Sequence, residues 1–314
     1  MAEMVKKATR ESFGEAITAL AETNPDIVVL DADLAEATKT GIFKKKYPVR
    51  FIVCGIAECN MVGIAAGLAT CGKIPFAASF AMFSAGRAFE QVRNSVCYPH
   101  LNVKIVGSHA GISVGEDGAT HQCCEDIALM RSIPGMVVLN PADHYEMQAA
   151  VKAAAEYVGP VYIRLGRLAV ESCNNNDDYT FEIGKGITLR DGKDITVIAT
   201  GLMVGEAVKA VKALEAAGID VRLIDMHTIK PLDEELVLKA AKETGRIVTV
   251  EEHNVVGGLG DAVSSYLSEV CPTPVTKIGV KDVFGHSGPA VDLLKEFGLS
   301  AENIEATVKK VLGK

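Results

Sequence analysis

Short apolar runs that alternate with helix-patterned stretches constrain this chain more than any other feature. Ile27 to Leu30, Arg50 to Cys54, Ile74 to Ala78, Val103 to Val106, Met136 to Leu139 and Val161 to Leu165 read as strands. Ser12 to Ala21, Cys59 to Cys71, Ala88 to Tyr98, Cys124 to Arg131 and His144 to Tyr157 carry helical spacing between them. Such alternation means βα units on a mostly parallel sheet flanked by helices. The polar string Cys173 to Asp178 breaks the pattern, which restarts with strands at Ile195 to Ala199, Val221 to Ile224 and Ile247 to Val250. Helices follow at Val204 to Ala217, Asp233 to Glu243, Asp261 to Val270, Ala290 to Glu296 and Ala301 to Leu312. The expected architecture is α/β in two domains, residues 1–172 and 193–314, with a linker over 173–192. At 314 residues, 48% of them hydrophobic, each half is long enough to bury a core of its own.

A formal charge of -8 argues against nucleic acid as the main partner, because phosphate binding needs a concentrated basic face. The short run Lys44 to Lys46 reads as a solvated helix end. The 8 cysteines show neither Cys-x-x-Cys nor Cys–His ligand spacing, which fits reduced thiols in a cytoplasmic protein. The N-terminal stretch with Lys6, Lys7 and Arg10 lacks the apolar core of a signal peptide. Met61 to Gly86 is nearly uncharged, yet Gly63, Gly67, Gly72, Lys73 and Pro75 cut it into a helix and a strand. No membrane span is expected.

Chemistry is best sought in Gly107 to Gln122, a glycine-rich loop that carries His109, Glu116, Asp117 and His121 and opens at the carboxyl end of an expected strand. Its spacing does not match that of common metal sites, so no metal site is assigned; imidazoles beside carboxylates suit proton transfer and binding of a hydroxyl-rich substrate. Glu58 opens a run of small and apolar residues and is either a helix-start acid favoured by the dipole or a buried acid able to share a proton. Phe80 and Phe83 are either core or a stacking surface for a flat ring. Arg10 and Arg167 offer bidentate forks suited to a phosphate, with surface ion pairs as the alternative. Gly257 to Val263 follows a strand and opens a helix, but Val263 stands where a dinucleotide fingerprint needs Gly or Ala, so a tight turn is expected. His253 and His286 are expected to be structural.

Taken together, Ala8-Thr9-Arg10, Ala32-Asp33-Leu34, Gly55-Ile56-Ala57-Glu58, Phe80 with Phe83, His109 through Gln122, Arg131-Ser132-Ile133-Pro134, Pro141-Ala142-Asp143 and Arg167 resemble the transketolase family. The string Gly-Glu-Asp-Gly-Ala-Thr-His-Gln at 115–122 is its most specific part. The resemblance spans essentially the whole chain and matches the C-terminal half of that enzyme, a pyrimidine-binding domain followed by the C-terminal domain. It implies thiamine diphosphate as cofactor and transfer of a two-carbon ketol unit between sugar phosphates, as in the pentose phosphate pathway. Glu58 would hold N1′ of the aminopyrimidine so that its 4′-imino form can take the thiazolium C2 proton. Phe80 and Phe83 would stack on the pyrimidine, with Asp33 beside it. His109, Asp117 and His121 would meet sugar hydroxyls and assist proton transfer, and Arg10 and Arg167 would hold the phosphate.

Two positions depart from the family. Ala37 stands where a phosphate-binding serine is usual, with Thr38 and Thr40 nearby, and Gly86 stands where a third aromatic is common, leaving Phe89 as a substitute or a looser pocket. A larger departure is the lack of a Gly-Asp-Gly segment with its downstream Asn, which together carry metal and diphosphate in thiamine enzymes. The resemblance therefore implies a split transketolase: a separate N-terminal subunit holds the Mg2+ or Ca2+ and the diphosphate, and the pair assembles as α2β2. Competing readings are the β subunit of a 2-oxo acid dehydrogenase, a deoxyxylulose phosphate synthase fragment and a noncatalytic scaffold.

Overall fold

The computed structural model describes residues 4–173 and 180–314. Residues 174–179, within the expected linker, lie outside the described residues. In chain order the strands are β1 Lys6–Ala8, β2 Ile27–Asp31, β3 Phe51–Val53, β4 Ile74–Phe80, β5 Lys104–Ser108, β6 Val137–Leu139, β7 Val161–Arg164, β8 Ala169–Glu171, β9 Ile187–Arg190, β10 Ile195–Ala199, β11 Val221–Asp225, β12 Thr228–Lys230, β13 Ile247–Asn254 and β14 Val275–Val280. The helices are α1 Thr9–Leu20, α2 Ala35–Thr38, α3 Gly41–Lys46, α4 Glu58–Thr70, α5 Phe89–Gln91, α6 Asp126–Ser132, α7 His144–Glu156, α8 Met203–Ala216, α9 Glu234–Thr244, α10 Leu259–Val270, α11 Ala290–Glu296 and α12 Ala301–Leu312.

A 7-stranded sheet in the order β12-β6-β7-β5-β4-β2-β3 is parallel except at β12, and a 5-stranded sheet in the order β14-β13-β10-β11-β9 is parallel except at β9. The mostly parallel α/β class expected from the alternation is the one observed. Successive residues of β2 serve opposite faces: Ile27 and Val29 join Phe13, Ile17, Phe76 and Val151, while Val28 and Leu30 join Val62, Ala65, Val92 and Ile105. Both faces of the sheet are thus covered, which is why its strands read as continuous apolar runs. Each fully buried Phe or Ile of this kind contributes roughly 1.5–3 kcal/mol. Among the described residues no helix is long and apolar enough to cross a membrane.

Strands β1, β8 and β9 were not expected from sequence, β9 lying within the expected linker yet pairing with β11, and the structure departs from the expectation in three further places. The helix expected over Ala88 to Tyr98 is α-helical only at α5 and π-helical over Val92–Cys97, and a further π-helical turn, Met82–Arg87, precedes it, with the Ala88 amide reaching back to the Phe83 carbonyl. Strand β14 emerges on the edge of the second sheet from a stretch with no expected element. Strand β12, where no strand was expected, follows the second-half strand β11 but crosses to the first sheet and pairs antiparallel with β6. That crossing gives the outer edge of β6 hydrogen-bond partners it would otherwise lack. Ile229 enters the first core, and Lys230 Nζ donates to the carbonyls of Arg131 at 2.8 Å and Ile133 at 2.6 Å, closing the C-terminus of α6.

Candidate active site

From β2 the chain lays β3 on one side and then β4 on the other, so the crevice at the carboxyl ends of β2 and β4 is a topological switch point. Asp31 ends β2 and lies beside Ala78 of β4; Phe80 ends β4 and lies beside Ser108 of β5. Glu58 opens α4, immediately after β3, and is only 3% exposed. It is therefore both a helix-start acid and a buried one. Its Oε1 accepts a long hydrogen bond from Ser79 Oγ at 3.4 Å, and Arg87 Nε stands 3.7 Å from Oε2.

The rings of Phe80 and Phe83 are nearly parallel, 9° apart with centroids 6.2 Å from each other. His109 stacks on Phe80 at 4.1 Å, and His121 turns its edge to Phe83 at 5.3 Å. His109 holds left-handed backbone, φ 56°, a conformation that costs a non-glycine residue about 1 kcal/mol or more and collects at functional sites. Arg10 Nη1 lies 3.1 Å from His109 Nε2 and also donates to the Ala37 carbonyl at 3.0 Å. A guanidinium can only donate, so Nε2 accepts and the ring proton sits on Nδ1, 2.8 Å from Ser108 Oγ. Burial first, then the charges of Arg10, Arg167 and Lys39, push the His109 pKa down to about 3. It is a neutral imidazole at any physiological pH.

Arg10, Phe80, Phe83, His109 and His121 are thus in one cluster, with Glu58 joined to it through Ser79, the neighbour of Phe80. Arg167 lies near enough to add its charge to burial, the main cause, in lowering the pKa of Arg10 and His109, but its Nη1 is engaged by Glu116 at 2.5 Å and by the Val114 carbonyl. Asp33 is exposed in left-handed backbone just past β2, and Asp117 is exposed on the loop.

Three side chains near the two departures, Thr38, Thr40 and Phe89, lie away from the cluster. Thr38 and Thr40 are fully buried and both donate to Asp31 Oδ2, at 3.0 and 2.9 Å, so neither hydroxyl faces a phosphate. Phe89 packs against the core around Val62 and Val92 instead of joining the Phe80–Phe83 pair. The turn at 257–260 is a capped helix start: Glu251 accepts the Leu259 amide at 2.7 Å and the Gly260 amide at 2.8 Å, so a carboxylate already fills the anion position. His253 is fully buried, with Nδ1 2.7 Å from the Asn254 carbonyl and Nε2 accepting the Ala128 amide at 3.3 Å. His286 is exposed beside Glu296 at 3.3 Å.

Sequence reasoning missed Asp31, Ser79, Ser108 and Arg87. A charge closing the apolar run of β2 was a signal for Asp31; nothing local marked the other three.

The model for the transketolase pyrimidine-binding domain matches residues 5–172, and that for the transketolase C-terminal domain matches residues 184–304. The chain belongs to the transketolase family. A protein of Methanocaldococcus jannaschii named as a transketolase C-terminal section is 50% identical over 312 residues, 99% of this chain and 98% of that one. Human transketolase is 40% identical over 314 residues, which are 98% of this chain but 50% of the human enzyme. A solved split-gene transketolase, described as an inactive β4 tetramer, superposes with a TM-score of 0.91 at 54% identity, covering 98% of this chain and 99% of that one.

Proposed function

We propose that the chain is the C-terminal subunit of a split transketolase, which moves a two-carbon ketol unit between sugar phosphates with thiamine diphosphate. It would act in the cytoplasm, with a separate N-terminal subunit that holds the diphosphate and its Mg2+ or Ca2+, in an α2β2 assembly. The observation that carries this reading is the joining of one buried carboxyl, Glu58, to a parallel phenyl pair, Phe80 and Phe83, at the switch point of the first sheet. A flat heterocycle with a basic ring nitrogen fits that pair of features. Support for a partner comes from the exposed apolar side chains Val53 and Ile56 just ahead of Glu58, and from the match to only half of the human enzyme. The relative described as an inactive β4 tetramer is consistent with a β chain that needs company.

Thiamine diphosphate, when bound, supplies a carbon nucleophile and an electron sink. The roles left to this chain are holding and moving protons. Glu58 would share a proton with the ring nitrogen, for which its shielded carboxyl and loose bond to Ser79 suit it. Phe80 and Phe83 would fix the ring plane, with Asp33 at its rim. His109, as a neutral imidazole held by Arg10 and Ser108, and His121 would meet the hydroxyls of the sugar and pass protons, with Asp117 alongside. Arg10 and Arg167 would take the phosphate, Arg167 exchanging Glu116 for it.

The test is reconstitution. Co-purified with its companion chain, the protein should convert xylulose 5-phosphate plus ribose 5-phosphate in the presence of thiamine diphosphate and Mg2+, and should not condense pyruvate with glyceraldehyde 3-phosphate. Purified alone it should turn over neither, and robust activity without a companion would refute the split.

A further inference from the structure

The loop from His109 to Cys123 has only short-range structure of its own: a 3-10 turn at Ile112–Val114, turn hydrogen bonds around Gly115 and Gly118, and the Gly111 amide bonded to the Cys123 carbonyl at 2.8 Å as its one ladder contact. It is held from outside on two sides: the first half supplies Arg167 on the Val114 carbonyl, the Leu165 carbonyl on the Ala110 amide at 3.2 Å and Arg10 on His109, and the second half supplies the following ties. Glu252 Oε1 accepts the Ser113 amide at 2.7 Å, the Asn254 amide donates to the Cys124 carbonyl at 2.7 Å, and Gln122 Nε2 bridges the carbonyls of Ile112 at 3.1 Å and His286 at 3.0 Å. Of the second half's ties only that of Glu252 comes from a side chain there. Glu252 is 3% exposed, and Gly111 makes room for it, since a Cβ there would strike the Glu252 carboxyl. The Glu252 backbone is fixed as well, its carbonyl accepting from Arg164 Nη2 at 2.9 Å.

We propose that Glu252, at the end of β13, is the positioning residue for this loop: its carboxyl, by gripping the Ser113 amide, holds His109 and His121 against Phe80 and Phe83 and so sets the affinity for the sugar phosphate. This gives the C-terminal domain a part in substrate binding, and it rests on the reading given under Proposed function. Removing the carboxyl leaves a buried N–H without an acceptor, and the loop can satisfy that group only by moving. The rings that cradle the cofactor lie on β4 and the turn after it, so cofactor binding should be spared.

The test compares E252A and E252Q. In the assembled enzyme E252A should raise the KM for xylulose 5-phosphate by about tenfold and also lower kcat, since the displaced His109 and His121 pass protons, with the thiamine diphosphate dissociation constant from calorimetry changed by less than about threefold. E252Q keeps an acceptor oxygen and should restore KM to within about twofold of the parent. In the chain alone, hydrogen exchange should quicken over 109–123 in E252A and stay unchanged elsewhere. Unaltered KM and loop exchange in E252A would overturn the proposal, as would a general loss that spreads over cofactor affinity and exchange throughout the molecule, or an E252Q no better than E252A. An inactive parent assembly would instead bring down the transketolase reading, and the exchange measurement would still decide the tether.

Discussion

His109 shows how one side chain's state follows from its neighbours. Arg10 can only donate, so it fixes the tautomer, and burial fixes the charge. Burial likewise depresses the His227 pKa to about 3. The unfolded chain takes up protons at these two residues below a pKa near 6.5, whereas the native state refuses them until about pH 3. Their contribution to stability is complete above pH 6.5 and is lost as pH falls toward 3. Two-dimensional NMR of the ring nitrogens should therefore show both histidines neutral at pH 5, and thermal midpoints should fall between pH 7 and 5; a His109 that titrates near pH 6 would contradict the buried geometry. Glu58 is tested differently. Glu58→Ala in the reconstituted pair should cut turnover by more than about 100-fold while gel filtration shows the assembly intact, and unchanged turnover would remove Glu58 from the mechanism.

At the scale of elements, the segment after β2 depends on Asp31, whose carboxyl accepts the Leu34 amide at 2.6 Å and the hydroxyls of Thr38 and Thr40. Desolvation raises its pKa, against the pull of those hydrogen bonds. Asp31→Ala strands three donors and should cost about 3 kcal/mol in urea unfolding. Buried central strands were legible in the sequence because both faces of the sheet are covered, so each strand is an uninterrupted apolar run. Strands β9, β12 and β14 were not, being edge strands whose pairing depends on distant partners. The π-helical turn carrying Phe83 falls between the strand and the helix expected from sequence, where no element was expected, and the one over Val92–Cys97 read as plain helix because helical spacing cannot distinguish a widened turn. Glu58, Phe80 and Phe83 stood out by contrast with bland neighbours. Glu252 did not, for its partner Ser113 lies 139 residues away.

The whole molecule is tied across its two halves by buried polar groups. Arg164 binds Asp126 through Nε at 2.7 Å and Nη2 at 3.1 Å, Tyr162 donates to the same carboxylate at 2.8 Å, and Nη2 reaches the Glu252 carbonyl. Replacing Arg164 by Met leaves Asp126 as an uncompensated buried charge and should destabilise by about 3–5 kcal/mol, with calorimetry showing whether one cooperative transition splits into two. Strand exchange makes the halves dependent in a second way. The first sheet as folded includes β12, Ile229 fills its core, and Lys230 caps α6, yet all three follow the break after residue 173. A fragment of residues 1–192 would expose the outer edge of β6 and leave the α6 carbonyls without their lysine. An unpaired edge of that kind invites association. The fragment should elute as aggregates or lose most of its cooperative melting, whereas the full chain unfolds in a single transition. A monomeric 1–192 fragment with native-like circular dichroism and a sharp melt would show that β12 decorates the sheet without completing it.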